Sequence, residues 1–406
     1  MNRILKFQDF DFKGKTVALR VDLNLPYDPK AKKLSEGPRL SGHLGTIKAL
    51  SKAGAKIVIL AHQGRKGNPD FIPLRLHARL LEKKLGKKVR FLKFGASLEA
   101  VKKMKPCEII LLDNVRFYED EIAKKTISEH SKSALPESLG PLIDCFVLDA
   151  FSVAHRSHAS VVGFCGRVPC IAGPVFLKEY EFLTEFLEKI RFSENDIFIL
   201  GGAKPDEPIN LLERLYKKGI EKILTTGVIS LLLLKARGYD LGKTEEFLEK
   251  KGYLAYMKKM AKFAKESDIL APIDLAVERN GKRAEIGLND LPAAESILDI
   301  GKKTIEIYGR QIRHANIICM KGPAGMYEKK DFAYGTKSLF EEIVRSESVS
   351  LIGGGNSTDA MKALKIPPEA FTYVSLSGGA FVEFLSGVKL PGVEAFNMNK
   401  MRSKNG

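Results

Sequence analysis

Arg20, Asp22 and Asn24 occupy alternate positions in RVDLNLP (20–26), directly after the apolar stretch TVAL, so their side chains share one face of an extended segment. Such groups are costly to bury without partners, which points to a hydrogen-bonded site rather than a plain strand end. Further apolar runs break off in the same way. KIVILAHQGRKG (56–67) delivers His62 and Arg65, EIILLDNVRF (108–117) delivers Arg116, and CFVLDAFSVAHR (145–156) delivers His155 and Arg156. In the second half the ends change character: DIFILGGAKP (196–205), KILTTGVIS (222–230), NIICMKGPAG (316–325), VSLIGGGNST (349–358) and TYVSLSGGA (372–380) deliver mostly glycine. Glycine lets a phosphate or a base approach the backbone, and a helix that follows offers free N–H groups and a favourable dipole. One half therefore presents an arginine-rich mouth and the other a glycine-rich one, which suits two different anionic ligands meeting across a cleft. Taken singly, each glycine pair also fits ordinary strand-to-helix turn chemistry, and the chain has neither G-x-x-x-x-G-K-[ST] nor an early G-x-G-x-x-G.

The elements that must position these groups follow from the same runs. Short segments rich in Ile, Val and Leu, separated by amphipathic stretches of helix length, read as buried parallel strands in βαβ units, and ligands of such sheets gather at the carboxyl ends of the strands. A helix is expected over Ser41–Gly54, and a long one over 174–192, opened by Pro174 after Gly173. A chain of 406 residues exceeds what one hydrophobic core supports. The expected fold is α/β: two Rossmann-like domains, each a parallel sheet flanked by helices, joined by a long helix and hinge. The expected boundaries are 1–173, the interdomain helix 174–192, 193–385, and a C-terminal strap 386–406 packing back toward the N-terminal domain.

Composition narrows the function classes. Apolar residues make up 44% and charged residues 28%, an ordinary soluble globular balance that excludes disorder. MNRILKFQDFDFKGK has no continuous apolar h-region, and no run approaches the about 18 apolar residues of a membrane helix, so a cytoplasmic protein without a membrane partner is expected. The net charge of +17 admits nucleic acid, an acidic membrane surface or small anions as partners. Much of it is lysine scattered on helix faces, and no zinc finger, RRM-type aromatic motif or unbroken basic arm is present, so no nucleic-acid partner is expected. Cys107, Cys145, Cys165, Cys170 and Cys319 are odd in number and form no C-x-x-C, and they read as small core residues rather than a disulfide framework or zinc site.

RVDLNLP (20–26), AHQGRKG (61–67), DNVRF (113–117), DAFSVAHRSHAS (149–160), GGAK (201–204), KGPAGMYE (321–328), GGGN (353–356) and SLSGGAFVEFLSGVKLPGV (375–393) resemble, in this order, the motifs of the phosphoglycerate kinases over nearly the whole chain. The resemblance implies a phosphotransferase with a carboxyl group as acceptor. It would move the acyl phosphate of 1,3-bisphosphoglycerate to Mg-ADP, reversibly, giving 3-phosphoglycerate and ATP in glycolysis and gluconeogenesis. It places Arg20, Asp22, Asn24, Arg39, His62, Arg65, Arg116 and Arg156 at the phosphoglycerate, and it makes Arg39 and Lys204 the catalytic pair at the transferring phosphoryl group. Gly201, Gly202 and Gly227 would line the adenine slot and Glu328 would bond the ribose. Gly353, Gly354, Gly355, Asn356, Gly378 and Gly379 would hold the phosphates and metal, with Asn356 a ligand of Mg²⁺, and Gly322, Ser357 and Lys204 would also bind the nucleotide. His155 and His158 are expected to position or pack rather than to bind metal, and the enzyme is expected to act as a monomer. Three positions depart from the family pattern: Pro208 where a second lysine is common, Asn356 where many members carry an aspartate, and Lys302 in DIGKKT, where a proline is usual. With Pro208 one phosphate contact is expected to be missing or supplied elsewhere, and Lys302 is expected to bring a replacement charge.

Overall fold

The runs Thr16–Arg20, Ile109–Leu112, Cys145–Leu148, Ile197–Leu200 and Ile317–Lys321 are buried at every position. Strands apolar on both faces need cover on both sides, which a parallel sheet between helix layers supplies. A computed structural model of the chain describes residues 4–189, 193–218, 220 and 222–398. In chain order, β1 (Thr16–Arg20) leads to a small antiparallel hairpin of β2 (Tyr27–Asp28) and β3 (Lys33–Leu34), then β4 (Lys56–Leu60), β5 (Val89–Leu92), β6 (Ile109–Leu112), β7 (Cys145–Leu148) and β8 (Cys170–Ala172). Apart from the hairpin, these strands form one parallel sheet of order β5-β6-β4-β1-β7-β8, with Arg20 level with Leu60 on one side and Leu148 on the other. The chain then supplies β9 (Ile197–Leu200), β10 (Ile223–Thr225), β11 (Ile269–Leu270), β12 (Asp274–Arg279), β13 (Lys282–Gly287), β14 (Ile297–Ile300), β15 (Ile317–Lys321), β16 (Val349–Gly353) and β17 (Tyr373–Ser375). Six of these make a second parallel sheet, β11-β10-β9-β15-β16-β17, and β13-β12-β14 make a small antiparallel sheet that the pattern of apolar runs does not announce. In both large sheets the order reverses beside the first strand, at β1 and β7 and at β9 and β15, and such reversals open the crevices where α/β sheets take ligands.

The α/β architecture of two parallel sheets flanked by helices is therefore present. The chain divides into two compact units, one running to Phe186 and including the stretch from Glu383, the other Leu187–Val382. In the first, Val17, Leu19, Ile57 and Val147 pack with Leu40, Ile47 and Leu50 from the helix Pro38–Lys52. In the second, Ile199, Ile318 and Met320 pack with Tyr308, Ile312 and Phe340 from the helices Lys302–Arg313 and Tyr334–Arg345. Full burial of such side chains contributes about 1.5–3 kcal/mol each.

Three local expectations change. The helix expected over Ser41–Gly54 runs Pro38–Lys52 instead, because Pro38 occupies a first turn where no backbone N–H is needed. That shift puts Arg39 in the first turn of the helix. The long helix spans Pro174–Lys189, with 190–192 outside the described residues. Within the first unit its Phe176 meets Phe151 at 5.4 Å and Phe396 at 5.3 Å between ring centroids. Gly392 N–H donates to Ala154 O at 2.8 Å, and residues 399–406 lie outside the described ones. The cysteines are not uniformly core residues. Cys165 and Cys170 form a disulfide across a short loop that brings their Cα atoms to 5.3 Å, and Cys107 is exposed; only Cys145 and Cys319 are free and buried. Among the described residues no helix is long and apolar enough to cross a membrane.

Candidate active site

At the carboxyl ends of β1, β4, β6 and β7 the structure brings the first set of expected residues together. Arg20 is almost wholly buried. Its Nε donates to Ser160 Oγ at 3.0 Å, its Nη2 to His62 Nδ1 at 3.1 Å, and its Nη1 to Val21 O. Since Nδ1 of His62 accepts, the imidazole proton sits on Nε2. Burial, together with Arg116, Arg20 and Arg156, holds the His62 pKa well below the usual histidine range, so the ring is an uncharged donor. Ser160 Oγ donates in turn to Glu121 Oε1 at 2.6 Å, and Ser160 N–H donates to Glu121 Oε2 at 2.8 Å. Burial raises the Glu121 pKa to about 7 against the pull of Ser160 and Arg20.

Asp22 lies in the loop just beyond β1. Burial alone would raise its pKa, but Arg39, the Ser152 hydroxyl and the Asn24 amide bring it to about 2, so it is a carboxylate at any working pH. Ser152 Oγ donates to Asp22 Oδ2 at 2.7 Å, Asn24 N–H to Oδ1 at 3.0 Å, and Arg39 Nε stands 3.4 Å from Oδ2. Behind it, Asp22 N–H donates to His43 Nε2 at 3.1 Å, which leaves the His43 Nδ1 proton for Asp149 Oδ2 at 2.9 Å. Arg39 Nη1 donates to Asn24 O at 3.0 Å, while Asn24 Oδ1 accepts from Gly64 N–H at 2.9 Å. Gly64 has φ +65°, and a Cβ there would fall 2.4 Å from Asp70 O, so the loop after β4 needs glycine at this point. The Gln63 side chain pairs with both backbone groups of Leu25, each at 2.9 Å, and ties that loop to the one after β1.

Arg65 is exposed on the same loop, and Arg116 and Arg156 are half-buried. Arg116 Nη1 donates to Gly64 O, but its buried Nε has no hydrogen-bond partner among the described residues. Burial first, and then Arg156, Arg20 and Arg65, push the Arg116 pKa down to about 9, against a raising pull from Glu121. Arg156 Nε donates to His155 Nε2 at 3.1 Å, and His158 lies 3.7 Å from Glu121. Sequence reasoning alone misses Glu121, Ser160, Ser152, His43, Asp149 and Gln63. The position of Ser152, Asp149 and Ser160 inside DAFSVAHRSHAS, and of Gln63 inside AHQGRKG, is the signal available for four of them; Glu121 and His43 lie outside the motifs.

The glycine set converges at the ends of the second sheet. Gly201 N–H donates to Lys321 O at 2.8 Å, Gly202 N–H to Pro323 O at 2.8 Å and Gly227 N–H to Ala324 O at 3.0 Å. Gly322 has φ +81°, and a Cβ on it would lie 2.5 Å from Gly201 O, so backbone packs directly on backbone between the loops of β9 and β15. Ser357 Oγ accepts from Gly322 N–H and donates to Gly353 O, both at 3.0 Å, and its own N–H donates to Gly354 O; the residue locks the loops of β15 and β16 together. Gly353 ends β16 and Gly354 precedes the helix Gly355–Leu364, in whose first turn Asn356 is exposed. Gly378 and Gly379 open the helix after β17, with the Cβ position of Gly378 only 3.5 Å from Gly354 Cα. Lys204 is exposed between β9 and the helix Asp206–Lys217, and Glu328 is exposed in the loop after β15. Pro208 is the third residue of that helix, where an N–H would be unpaired in any case. Lys302 begins the helix Lys302–Arg313, its amide bonded to Glu285 at 3.0 Å beside the small antiparallel sheet, and it is Lys321 that stands among the glycine loops.

Among the described residues no group of three or more His, Cys, Asp or Glu could hold a metal ion. The donors at the glycine loops fit a magnesium ion carried by phosphates, with one neutral carbonyl oxygen from Asn356, and do not fit an all-protein cage.

A family model described as phosphoglycerate kinase matches residues 7–388. The chain is 38% identical over 400 residues to the phosphoglycerate kinase of Methanothermobacter thermautotrophicus, covering 97% of this chain and 96% of that protein. Against the phosphoglycerate kinase of Sulfurisphaera tokodaii the identity is 36% over 400 residues, covering 97% and 95%. The crystal structure of phosphoglycerate kinase from Pyrococcus horikoshii superposes with a TM-score of 0.86 at 36% identity, covering 98% of this chain and 100% of that one. The Coxiella burnetii phosphoglycerate kinase structure gives 0.69 at 30% identity, covering 97% and 99%. With the motifs in order, both sheets in place and relatives matched from end to end, the chain belongs to the phosphoglycerate kinase family.

Proposed function

We propose that the arginine cluster binds 3-phosphoglycerate and the glycine loops bind the nucleotide, each group in the role its chemistry suits. The chain is a kinase that passes a phosphoryl group between 1,3-bisphosphoglycerate and ADP, giving 3-phosphoglycerate and ATP. The observation that carries the residue assignment is the unbalanced charge. Four arginines, Arg20, Arg65, Arg116 and Arg156, act on one another, while the acids beside them are two, the ionised Asp22 and Glu121, whose pKa burial raises to about 7 against the arginines' pull. Such a field calls for a multivalent anion, and guanidinium forks hold phosphate and carboxylate in two-point contacts. Arg20 keeps two N–H groups beyond the three it uses internally, and His62 adds a neutral donor. The ionised Asp22 and the Asn24 amide take the substrate hydroxyl.

Phosphoryl transfer asks little covalent work of the protein, so charge set against the equatorial oxygens is the main device. We assign Arg39 and Lys204 to those oxygens. Gly201, Gly202 and Gly227 take the adenine side and Glu328 the ribose. Gly322, Gly353, Gly354, Gly355, Asn356, Gly378 and Gly379 take the phosphates, and Ser357 acts by fixing their loops. Magnesium borne by the nucleotide would supply charge neutralisation, with Asn356 as the side chain lent to it. We take 1–173 as the phosphoglycerate domain, 174–192 as the connecting helix, 193–385 as the nucleotide domain and 386–406 as a strap. We also place the enzyme in the cytoplasm as a monomer without nucleic-acid or membrane partners, since its phosphorylated substrates do not cross membranes unaided and one chain carries both residue sets. A coupled assay with 1,3-bisphosphoglycerate and Mg-ADP tests the assignment. ATP formation in the parent, impaired on Arg116→Gln through a raised KM for 1,3-bisphosphoglycerate and not for ADP, is expected; an unchanged KM removes the arginine cluster from the substrate site.

A further inference from the structure

Lys321, the last residue of β15, is the one buried lysine among the described residues. Its register partners are Leu200 at the end of β9 and Gly353 at the end of β16, so it stands at the reversal of strand order where this sheet opens its crevice. The loops around it fix the direction it faces: a Cβ on Gly378 would lie 3.7 Å from Lys321 Cε, 3.6 Å from Glu207 Oε2 and 3.5 Å from Gly354 Cα. The ammonium has one partner among the described residues, Glu207 Oε2 at 2.9 Å. An ammonium carries three donors, and a buried one held by a single bond is under-satisfied.

Glu207 is the second residue of the helix Asp206–Lys217, whose first turn holds two acids and a proline and no cation. Its side chain is about a third exposed, against 11% for that of Lys321, so the carboxylate reaches the lysine from the open side. An anionic oxygen thus already occupies one donor of a buried cation, in the middle of loops otherwise built from glycine backbone.

We propose that Lys321 is the buried cation for the nucleotide phosphates and that Glu207 is an internal stand-in, displaced when a phosphate takes its place on the ammonium. The carboxylate keeps the lysine aimed while the site is empty, and it weakens nucleotide binding by competing for the same donor. Pro208, which contributes no phosphate contact, is offset by this lysine from a different strand. The proposal rests on the reading of the glycine loops as the nucleotide site.

Calorimetric titration of the full chain with ADP and with adenosine, each without added phosphoglycerate, tests it on the parent, Lys321→Gln and Glu207→Gln. Lys321→Gln is expected to weaken ADP by about ten- to a hundredfold, the scale of a lost charge-assisted hydrogen bond, while adenosine stays within about twofold. Glu207→Gln is expected to tighten ADP by about threefold or more, because the binding-competent fraction of the lysine rises. Retained 3-phosphoglycerate binding in each variant shows that the chain is folded. The proposal is overturned if Lys321→Gln leaves ADP within about threefold of the parent, if it weakens adenosine by the same factor as ADP, or if Glu207→Gln weakens ADP. A parent that binds adenosine but gains nothing from the phosphates of ADP also overturns it while keeping the base site. A parent that binds neither overturns the nucleotide reading itself.

Discussion

The Arg20 guanidinium donates from Nη2 to His62 Nδ1 at 3.1 Å, and the ring that accepts it is buried and uncharged. Arginine thereby fixes the tautomer of the histidine, and the histidine holds the arginine in the crevice. His62→Gln keeps both an acceptor and a donor, so 3-phosphoglycerate affinity should stay within about fivefold of the parent. His62→Leu leaves a buried guanidinium arm unpaired, and affinity should fall about ten- to a hundredfold, the cost of an unsatisfied charged donor. Calorimetry with 3-phosphoglycerate separates the two, and equal losses in both variants would count against the Arg20 link.

His158 gives a pH dependence whose sign is fixed by burial and by Arg156, Arg116 and Arg20, which push its pKa down to about 2. The folded protein holds the ring neutral, whereas the unfolded chain protonates it near the ordinary value of about 6.5. Its stabilising contribution is therefore complete above that value and is lost progressively as the pH falls toward the folded value. At pH 5 the loss is about 2 kcal/mol. Urea unfolding at pH 7 and pH 5 should show a smaller drop in His158→Gln than in the parent by about that amount, and an identical drop would mean that the ring already titrates in the native state.

Lys204, exposed in a loop, contributes little to folding as placed, whereas Arg39, a quarter exposed in the first turn of a helix, also offsets the buried carboxylate of Asp22. Arg39→Ala or Lys204→Ala should cost at least about a hundredfold in turnover, the scale of removing one donor to a charge that develops in the transition state. Melting temperature should move little in Lys204→Ala and fall in Arg39→Ala, which leaves the buried Asp22 carboxylate without its cation. Turnover within about threefold of the parent would remove the residue from the reaction.

Asn356 offers an uncharged carbonyl oxygen at the start of the helix Gly355–Leu364, while magnesium prefers carboxylate and phosphate oxygens. Asn356→Asp should lower the Mg²⁺ concentration giving half-maximal rate. An unchanged or raised requirement would show that the side chain at 356 does not face the metal.

By itself the sequence determined the parallel strands that its apolar runs mark, though not the antiparallel ones, and that arginines follow those strands in one half and glycines in the other. Strands buried on both faces must be apolar throughout, so runs such as CFVL and IICM stand out, and ligand groups must follow where they stop. The helix start at Pro38 was illegible because GPRL reads equally as a loop, and only the extended Gly37 and the packing of Leu40 decide it. What tertiary structure alone decided is who meets whom. His43 finds Asp149 across 106 residues, Arg20 finds Ser160 across 140, and Lys321 finds Glu207 across 114. Neither the pairing of Cys165 with Cys170 nor the engagement of the Ser357 hydroxyl between two loops has a local signature. Local spacing encodes which face of a strand or helix a side chain takes, but the partner it meets depends on how sheets order their strands and how loops close over them, and no short-range pattern carries that information.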